Sequence, residues 1–496
     1  ERRAARFAAT ASKTTAIWIV AIELVGLLQQ QPRIRSLSRS TVHMRAAPED
    51  AATHPVDEIR SGQHDALLTR PERRPPLSLV YGTLCLANAA EAVEVLSAGS
   101  ILQRASDDPA GQTAIAAGVF VGMLFGGFAS GAVADTVGRA YALRWALTLA
   151  FVAAASAALA PNLPSLVILR VLAGTGVGAA TPPLFALATE NAPVGRTGPA
   201  ITIVASFWMV GAVIAAALAL LMLGSSADAP PSFGWSEPWR GFALTCSVVP
   251  AISTTLAWAV NLTPPSLPQE ISPQEISPST SLNDSIADQP TSPLPPAAEP
   301  MTLRRVLTTL SAPAERAALL PLCLVWAGLN FGSYGLSTWI TTLLTHAGVH
   351  DPYLVALLYA VAMLPGNLLS VFCIDSIGRR TLLVSSMVAA SLAALALGAV
   401  DTSSSEMVIA AACIFSATST ASWNALDVLS TEAFGVEVRA TALAVLAASG
   451  RLASVAAQFV NGSLSHDEPT LLAITSTVMA VGCIGALFVK PRHTHT

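Results

Sequence analysis

The sequence predicts an all-α membrane protein of twelve transmembrane helices in two pseudo-symmetric six-helix bundles. Three observations predict it. Of 496 residues, 53% are hydrophobic and only 12% are charged, where a soluble domain carries about 25% charged residues. Twelve apolar runs follow position 77, each long enough to cross about 30 Å of hydrocarbon as one helix. A polar break divides them six and six, and matching motifs stand at matching places in the two halves, as a duplicated membrane architecture requires.

The chain opens on a polar, Arg-rich stretch, 1–77, expected to be a disordered cytosolic tail. Within it 16–28 is apolar, but too short to span and interrupted by Glu23. The first half, 78–262, holds runs at 78–102, 112–134, 141–160, 163–189, 199–223 and 241–262. The break at 263–313 is rich in Pro, Ser and Thr; such a segment buries no apolar surface and reads as a flexible cytosolic linker. The second half, 314–490, holds runs at 317–345, 353–374, 381–400, 406–432, 440–462 and 470–489, before a short tail at 491–496.

Arginine sets the orientation. Arg139, Arg144, Arg196, Arg304, Arg305, Arg316, Arg379, Arg380, Arg439 and Lys490 all fall on one side of this topology. Asp107, Asp108, Asp228, Glu237, Asp351, Asp401, Glu406, Asp467 and Glu468 fall on the other, with Arg104 and Arg240 as exceptions. Both termini and the linker are therefore expected in the cytosol.

Composition also excludes. The net charge of −4 carries no basic stripe for nucleic acid. Cys85, Cys246, Cys323, Cys373, Cys413 and Cys483 all sit in apolar runs and read as small apolar filler. No Cys/His cluster has metal-ligand spacing, and the eight histidines lie in tails and loops. Gly174-Thr175-Gly176-Val177-Gly178 follows no strand and reads as helix packing, not a nucleotide loop. No nucleophile or cofactor constellation supports an enzyme. The partners expected are a small solute, protons and the bilayer, with the chain a monomer.

The halves repeat each other. Asp135, Gly138 and Arg139, with Gly131 four before the aspartate, precede the third run; Asp375, Gly378 and Arg379 precede the ninth. Glu190…Arg196 closes the fourth run and Glu432…Arg439 the tenth. These inner-loop charges read as a lock that holds the inner face shut by ion pairs; the bland alternative is a set of positive-inside anchors.

Two DxxGR motifs at duplicated positions, with Arg170…Gly174…Gly178…Glu190…Arg196 through the fourth run, resemble the major facilitator superfamily in its sugar-porter-like branch. Ala90-Glu91-Ala92-Val93-Glu94-Val95, Phe207-Trp208-Met209-Val210-Gly211, Tyr334-Gly335-Leu336-Ser337-Thr338-Trp339 and Ala421-Ser422-Trp423-Asn424-Ala425-Leu426-Asp427 look like the synaptic vesicle glycoprotein 2 family and its relatives. The resemblance covers about 77–489 and implies a major facilitator fold and solute transport by alternating access. Departures are the short loop 345–351, Val371 and Gly435 at motif positions, and Thr263-Pro264-Pro265-Ser266 after the sixth run.

Five charged groups fall in the apolar zone: Glu91, Glu94, Arg170, Asp427 and Arg451. Each is costly there unless paired or wet, and such groups mark solute or proton paths. Three acids against two bases leave one acid unpaired, and an unpaired buried acid favours its protonated form. By resemblance, Glu91 or Glu94 pairs with Arg170 as a protonation switch; the alternative is a static salt bridge. Trp208 and Trp423 come from opposite halves and are expected to face each other at the midplane with Asp427 between, a setting for a flat or cationic solute. Asn424, Tyr334 and Trp339 add hydrogen bonds or walls. Arg451 either pairs with Asp427 or snorkels to an interface. Asn461-Gly462-Ser463 is a glycosylation sequon at an outer helix end, expected to lie too close to the membrane for use. The functional expectation is a proton-coupled secondary transporter of a small polar or cationic organic solute. The rival is a transporter-shaped binding or trafficking protein that moves nothing.

Overall fold

The structure is a computed structural model that describes residues 75–193, 196–224, 237–263, 312–349, 351–400 and 405–489. Residues 1–74 of the expected tail, most of the linker and the last residues lie outside it. So do the surroundings of Gly131 and the side chain of Asp135.

Twelve helical spans account for most of the described residues. The first bundle comprises α1 (Leu77–Ala105), α2 (Pro109–Val137), α3 (Arg139–Ala157), α4 (Leu163–Glu190), α5 (Thr197–Met222) and α6 (Pro238–Ala259). The second comprises α7 (Pro313–His346), α8 (Pro352–Ile377), α9 (Arg379–Ala399), α10 (Ser405–Ala433), α11 (Val436–Ser463) and α12 (Glu468–Phe488). Six of the twelve carry Pro at one of their first two positions, after Asp108, Asn162, Glu237, Ala312, Asp351 and Asp467; the missing Pro N–H is one the helix start would leave unbonded anyway. Asn162 caps α4 through a reciprocal capping box with Ser165. α6 and α8 break at Ser247 and Ala362. Pro250 and Pro365 lie three residues on and cannot donate the helical hydrogen bond there.

Eleven of the spans are long and apolar enough to cross a membrane. The exception is α10, although its sequence is expected to span as one more apolar run. Its 29 residues suffice in length, but Thr418, Ser419, Thr420, Ser422, Asn424, Asp427 and Ser430 lower its hydropathy. The physical reason lies in their hydrogen bonds. Ser422 donates to Ser386 of α9, and Asn424 to Asn367 and Ser370 of α8. This helix spends its polarity on neighbours instead of meeting lipid.

The two bundles pack alike. α2 and α4, α3 and α4, and α1 and α5 form contacts in the first; α8 and α10, α9 and α10, and α7 and α11 form their counterparts in the second. A Cβ at Gly174 or Gly178 would meet the α2 backbone at Val119 and Met123. Those glycines are therefore helix packing, as expected. Gly138 and Gly378 hold φ of 85° and 87° in the equivalent turns before α3 and α9, where any side chain would be strained.

The bundles meet through α1 with α7, α2 with α11, and α5 with the first segment of α8. The last two contacts exchange under the pseudo-symmetry. Close contacts gather at the acidic end. Thr341 donates to the Gly99 carbonyl (3.1 Å), Tyr353 to that of Ser100 (3.3 Å), and Arg104 to Tyr353 (3.3 Å) and to the Leu223 carbonyl (2.9 Å). A Cβ at Gly462 of α11 would strike Thr113 of α2. The acidic end is closed.

Candidate functional site

The acids of α1 are separated by their partners. Glu94 accepts from Nη1 of Arg170 on α4 at 2.7 Å, with both residues buried at 3% and 2% exposure. Of the two acids left open by the sequence, the structure pairs Glu94. Glu91, 2% exposed, accepts from the Thr181 hydroxyl at 2.9 Å through Oε2, while its buried Oε1 has no partner. Thr181 was missed, though a signal existed: it stands eleven residues after Arg170, about three helical turns, on the same stripe of α4.

An aromatic cluster spans the bundle interface, with Tyr334 of α7 at its hub. Its ring centroid lies 5.4 Å from Phe120 of α2, 6.2 Å from Trp208 of α5 and 5.9 Å from Trp423 of α10, all edge to face. Such pairs gain energy beyond burial because a positive ring edge meets a negative face. Trp326 of α7 adds a further ring 5.6 Å from Trp423. Two of the indoles donate their N–H groups: Trp423 to Ser333 (3.1 Å) and Trp326 to Ser430 (2.9 Å). Phe120 and Trp326 were not anticipated, because nothing in a single apolar run marks which ring faces a partner helix.

Several expectations are corrected here. Trp208 and Trp423 do come to one cluster, but Tyr334 stands between them, not Asp427. Arg451 neither snorkels nor pairs with Asp427: its guanidinium lies 5.3 Å over the Tyr334 ring, with a buried Nη1 that has no partner. Trp339 is fully buried at the acidic end and donates to Gln458 at 2.9 Å, so it walls no cavity. Asn461, by contrast, is 1% exposed, in keeping with a sequon that is not used.

Asp427 is exposed, and the helix shows to what. Trp423 and Ser430 face α7, and Asn424 faces α8. Asp427 projects between these directions, roughly 140–160° around α10 from the exposed apolar Ile414 and Met407 at about 100° per residue. It therefore opens into the space between bundles, away from lipid. Asn424 hands its polarity on: Asn367 of α8 reaches Ser206 of α5 in the other bundle at 3.5 Å. On the acidic side a void of about 40 Å³ lies among Gly99, Ser100, Ser337, Thr341 and Tyr359, room for a few waters.

At the basic end, the ion pairs seen join helices of one bundle. Arg139 pairs with Glu190, and Arg379 with both Asp375 (2.9 Å) and Glu432 (3.4 Å). Arg439 donates to the Phe434 carbonyl at 3.3 Å, and Arg196 is exposed. These charges tie the turn before α3 to the end of α4, and repeat the tie between α9 and α10. They do not clamp one bundle to the other with the acidic end closed.

A profile of the sugar (and other) transporter family matches residues 80–492. The chain belongs to that family. It is a multi-pass integral membrane transporter of the major facilitator type, near the synaptic vesicle glycoprotein 2 proteins. The niacin transporter NiaP of Acinetobacter baylyi is 27% identical over 375 residues, 74% of this chain and 82% of that protein. The putative niacin/nicotinamide transporter NiaP of Bacillus subtilis is 24% identical over 73% of this chain and 83% of its own length. Human synaptic vesicle glycoprotein 2A is 30% identical over 183 residues, 34% of this chain and 24% of that protein. Among solved structures, a D-xylose-proton symporter has TM-score 0.65 at 16% identity, covering 84% of this chain and 97% of that one. The xylose transporter XylE of E. coli in a partially occluded inward-open state has TM-score 0.64 at 15% identity, over 85% and 99%. This likeness confirms the fold.

Proposed function

We propose that this transporter moves a small planar organic solute by alternating access, driven by protons carried on the α1 acids. The observation that carries the reading is the Tyr334 cluster: rings from both bundles converge with Arg451 on one point between them. Transporter sites lie at such a repeat interface. Flat rings recognise a flat solute by stacking and edge contacts, and a guanidinium with a free N–H recognises a carboxylate or carbonyl. The relatives named for niacin and nicotinamide transport support a heteroaromatic acid or amide. Asp427, open to the same space, supports a second reading in which the solute is cationic.

Proton coupling rests on Glu94 with Arg170 and on Glu91, the acid without a basic partner. With the arginine-rich end in the cytosol, the closed acidic end makes this conformation inward-facing. The basic-end pairs Arg139–Glu190 and Arg379–Glu432 act on the inner gate by fixing helix ends within each bundle.

Counterflow in proteoliposomes, with nicotinate, nicotinamide and the N-methylnicotinamide cation, tests the reading and its rivals. Nicotinate or nicotinamide is expected to exchange. Exchange of the cation alone, lost in Asp427→Asn, selects the second reading. Binding of any of the three with no exchange selects a transporter-shaped binding protein.

A further inference from the structure

Two buried polar atoms of opposite character are left without partners at the bundle interface. One is Oε1 of Glu91 on α1; the other is Nη1 of Arg451 on α11. They belong to different bundles. The two residues form no direct ion pair, yet Arg451 stands within coulombic range of the Glu91 carboxyl. An unmet carboxyl oxygen and an unmet guanidinium N–H are each unfavourable in a dry interior, and a third polar group that met both would relieve both.

The neighbours are already committed. Arg170 of α4 is bound to Glu94, one turn along α1. Thr181 of α4 uses its hydroxyl on Glu91 Oε2 and lies within 3.1 Å of the Val177 carbonyl. Asn330 of α7, against Gly450, accepts from Ser454 and donates to the Trp326 carbonyl. Tyr334 of α7 lies under the Arg451 guanidinium and carries the aromatic cluster. The charged and titratable groups around Glu91 are thus Glu94, Arg170, Arg451 and the Tyr334 phenol. Arg170 also keeps a buried Nε without a partner, but its charge is met by Glu94, and Arg451 is the cation with no carboxylate bonded to it.

We propose that Glu91 and Arg451 are the two poles of one carboxylate subsite, in which solute and proton bind together. This rests on the transporter reading above. The solute carboxylate sets one oxygen on Arg451 Nη1. Its other oxygen meets Glu91 Oε1, where two carboxylates would repel. A proton taken from solution onto Oε1 turns that repulsion into an O–H···O⁻ hydrogen bond. The charges then balance: one anion and one proton enter, Arg451 is neutralised by the solute, and Glu91 is neutral. Solute without proton leaves two anions in contact; proton without solute leaves Arg451 unmet. The site so loaded also joins the bundles, because α1 and α11 hold the same ligand.

The experiment is titration calorimetry on the full-length protein in nanodiscs, in buffers of different ionisation enthalpy, with nicotinate, nicotinamide, benzoate and acetate as probes. Nicotinate or benzoate is expected to bind with uptake of about one proton, and nicotinamide with none. Glu91→Gln supplies an N–H in place of the acid O–H, so it keeps carboxylate binding and loses proton uptake. Arg451→Gln weakens the carboxylates by about 10- to 100-fold, the loss of one charge-assisted hydrogen bond, and nicotinamide by less than about threefold on the same scale. Carboxylate binding without proton uptake overturns the proposal, as does uptake that survives Glu91→Gln or failure of every carboxylate to bind. Proton-linked binding of benzoate without nicotinate upholds the subsite and overturns only the solute proposed above.

Discussion

Glu94 and Arg170 form a buried ion pair whose two members leave unlike groups behind when removed. Glu94→Gln keeps the shape and a hydrogen-bond acceptor, and leaves a cation behind. Arg170→Ala leaves a buried acid that can take up a proton, whereas the guanidinium left by Glu94→Gln cannot lose one. Breaking such a pair from either side costs about 3–5 kcal/mol, so both variants are expected to lower the melting temperature. In proteoliposomes Glu94→Gln is expected to abolish accumulation driven by a pH gradient while leaving solute exchange; accumulation equal to wild type would remove Glu94 from the coupling. Sequence made these charges visible, since each is an anomaly in an apolar run. Which acid pairs with Arg170 was not legible, because Glu91 and Glu94 share one face of α1 and only the lateral position of α4 separates them.

At the scale of the element, α1 against α7 carries the closure of the acidic end. Gly99 allows it: any Cβ there would collide with the Thr338 carbonyl, a backbone atom that has no rotamer to yield. Thr341 then bonds the Gly99 carbonyl itself. Gly99→Val is expected to force α1 and α7 apart at this end and shift the population toward the acidic-side-open state. Thiol labelling of a cysteine placed at Ser337, which borders the small void there, measures the shift; a labelling rate within about twofold of the parent's would show that closure does not depend on this contact. The helices themselves were plain from apolar run length. α10 was the element least well read, because its polar residues are answered by α7, α8 and α9, and no single run shows what its neighbours supply.

At the scale of the molecule, two like bundles meet in contacts that exchange under their pseudo-symmetry, α2 with α11 and α5 with α8. A rocking motion that opens one end closes the other without remaking either bundle. The basic-end ion pairs are consistent with this, because each stays within its own bundle and travels with it. Thr113→Cys with Gly462→Cys places two thiols across the α2–α11 contact, where a Cβ at Gly462 lies 3.0 Å from that of Thr113, within slight relaxation of disulfide range. Oxidation is expected to stop transport and reductant to restore it. Full exchange in the oxidised, cross-linked protein would show that the acidic end need not open.

Composition, run length and the doubled Asp-Gly-Arg motifs by themselves determined a two-bundle membrane fold, its packing glycines and the five charges held in its apolar zone. Those are properties of one segment at a time: hydrocarbon thickness sets the length of a helix, and low dielectric makes any charge within it conspicuous. Only the tertiary structure decided that Tyr334 is the hub of the rings, that Arg451 lies over it, that Trp339 is core, and that Glu91 is the α1 acid left without a bonded cation. These depend on how helices far apart in the chain are turned toward each other, and a helix's rotation about its axis is set by the neighbours it packs against.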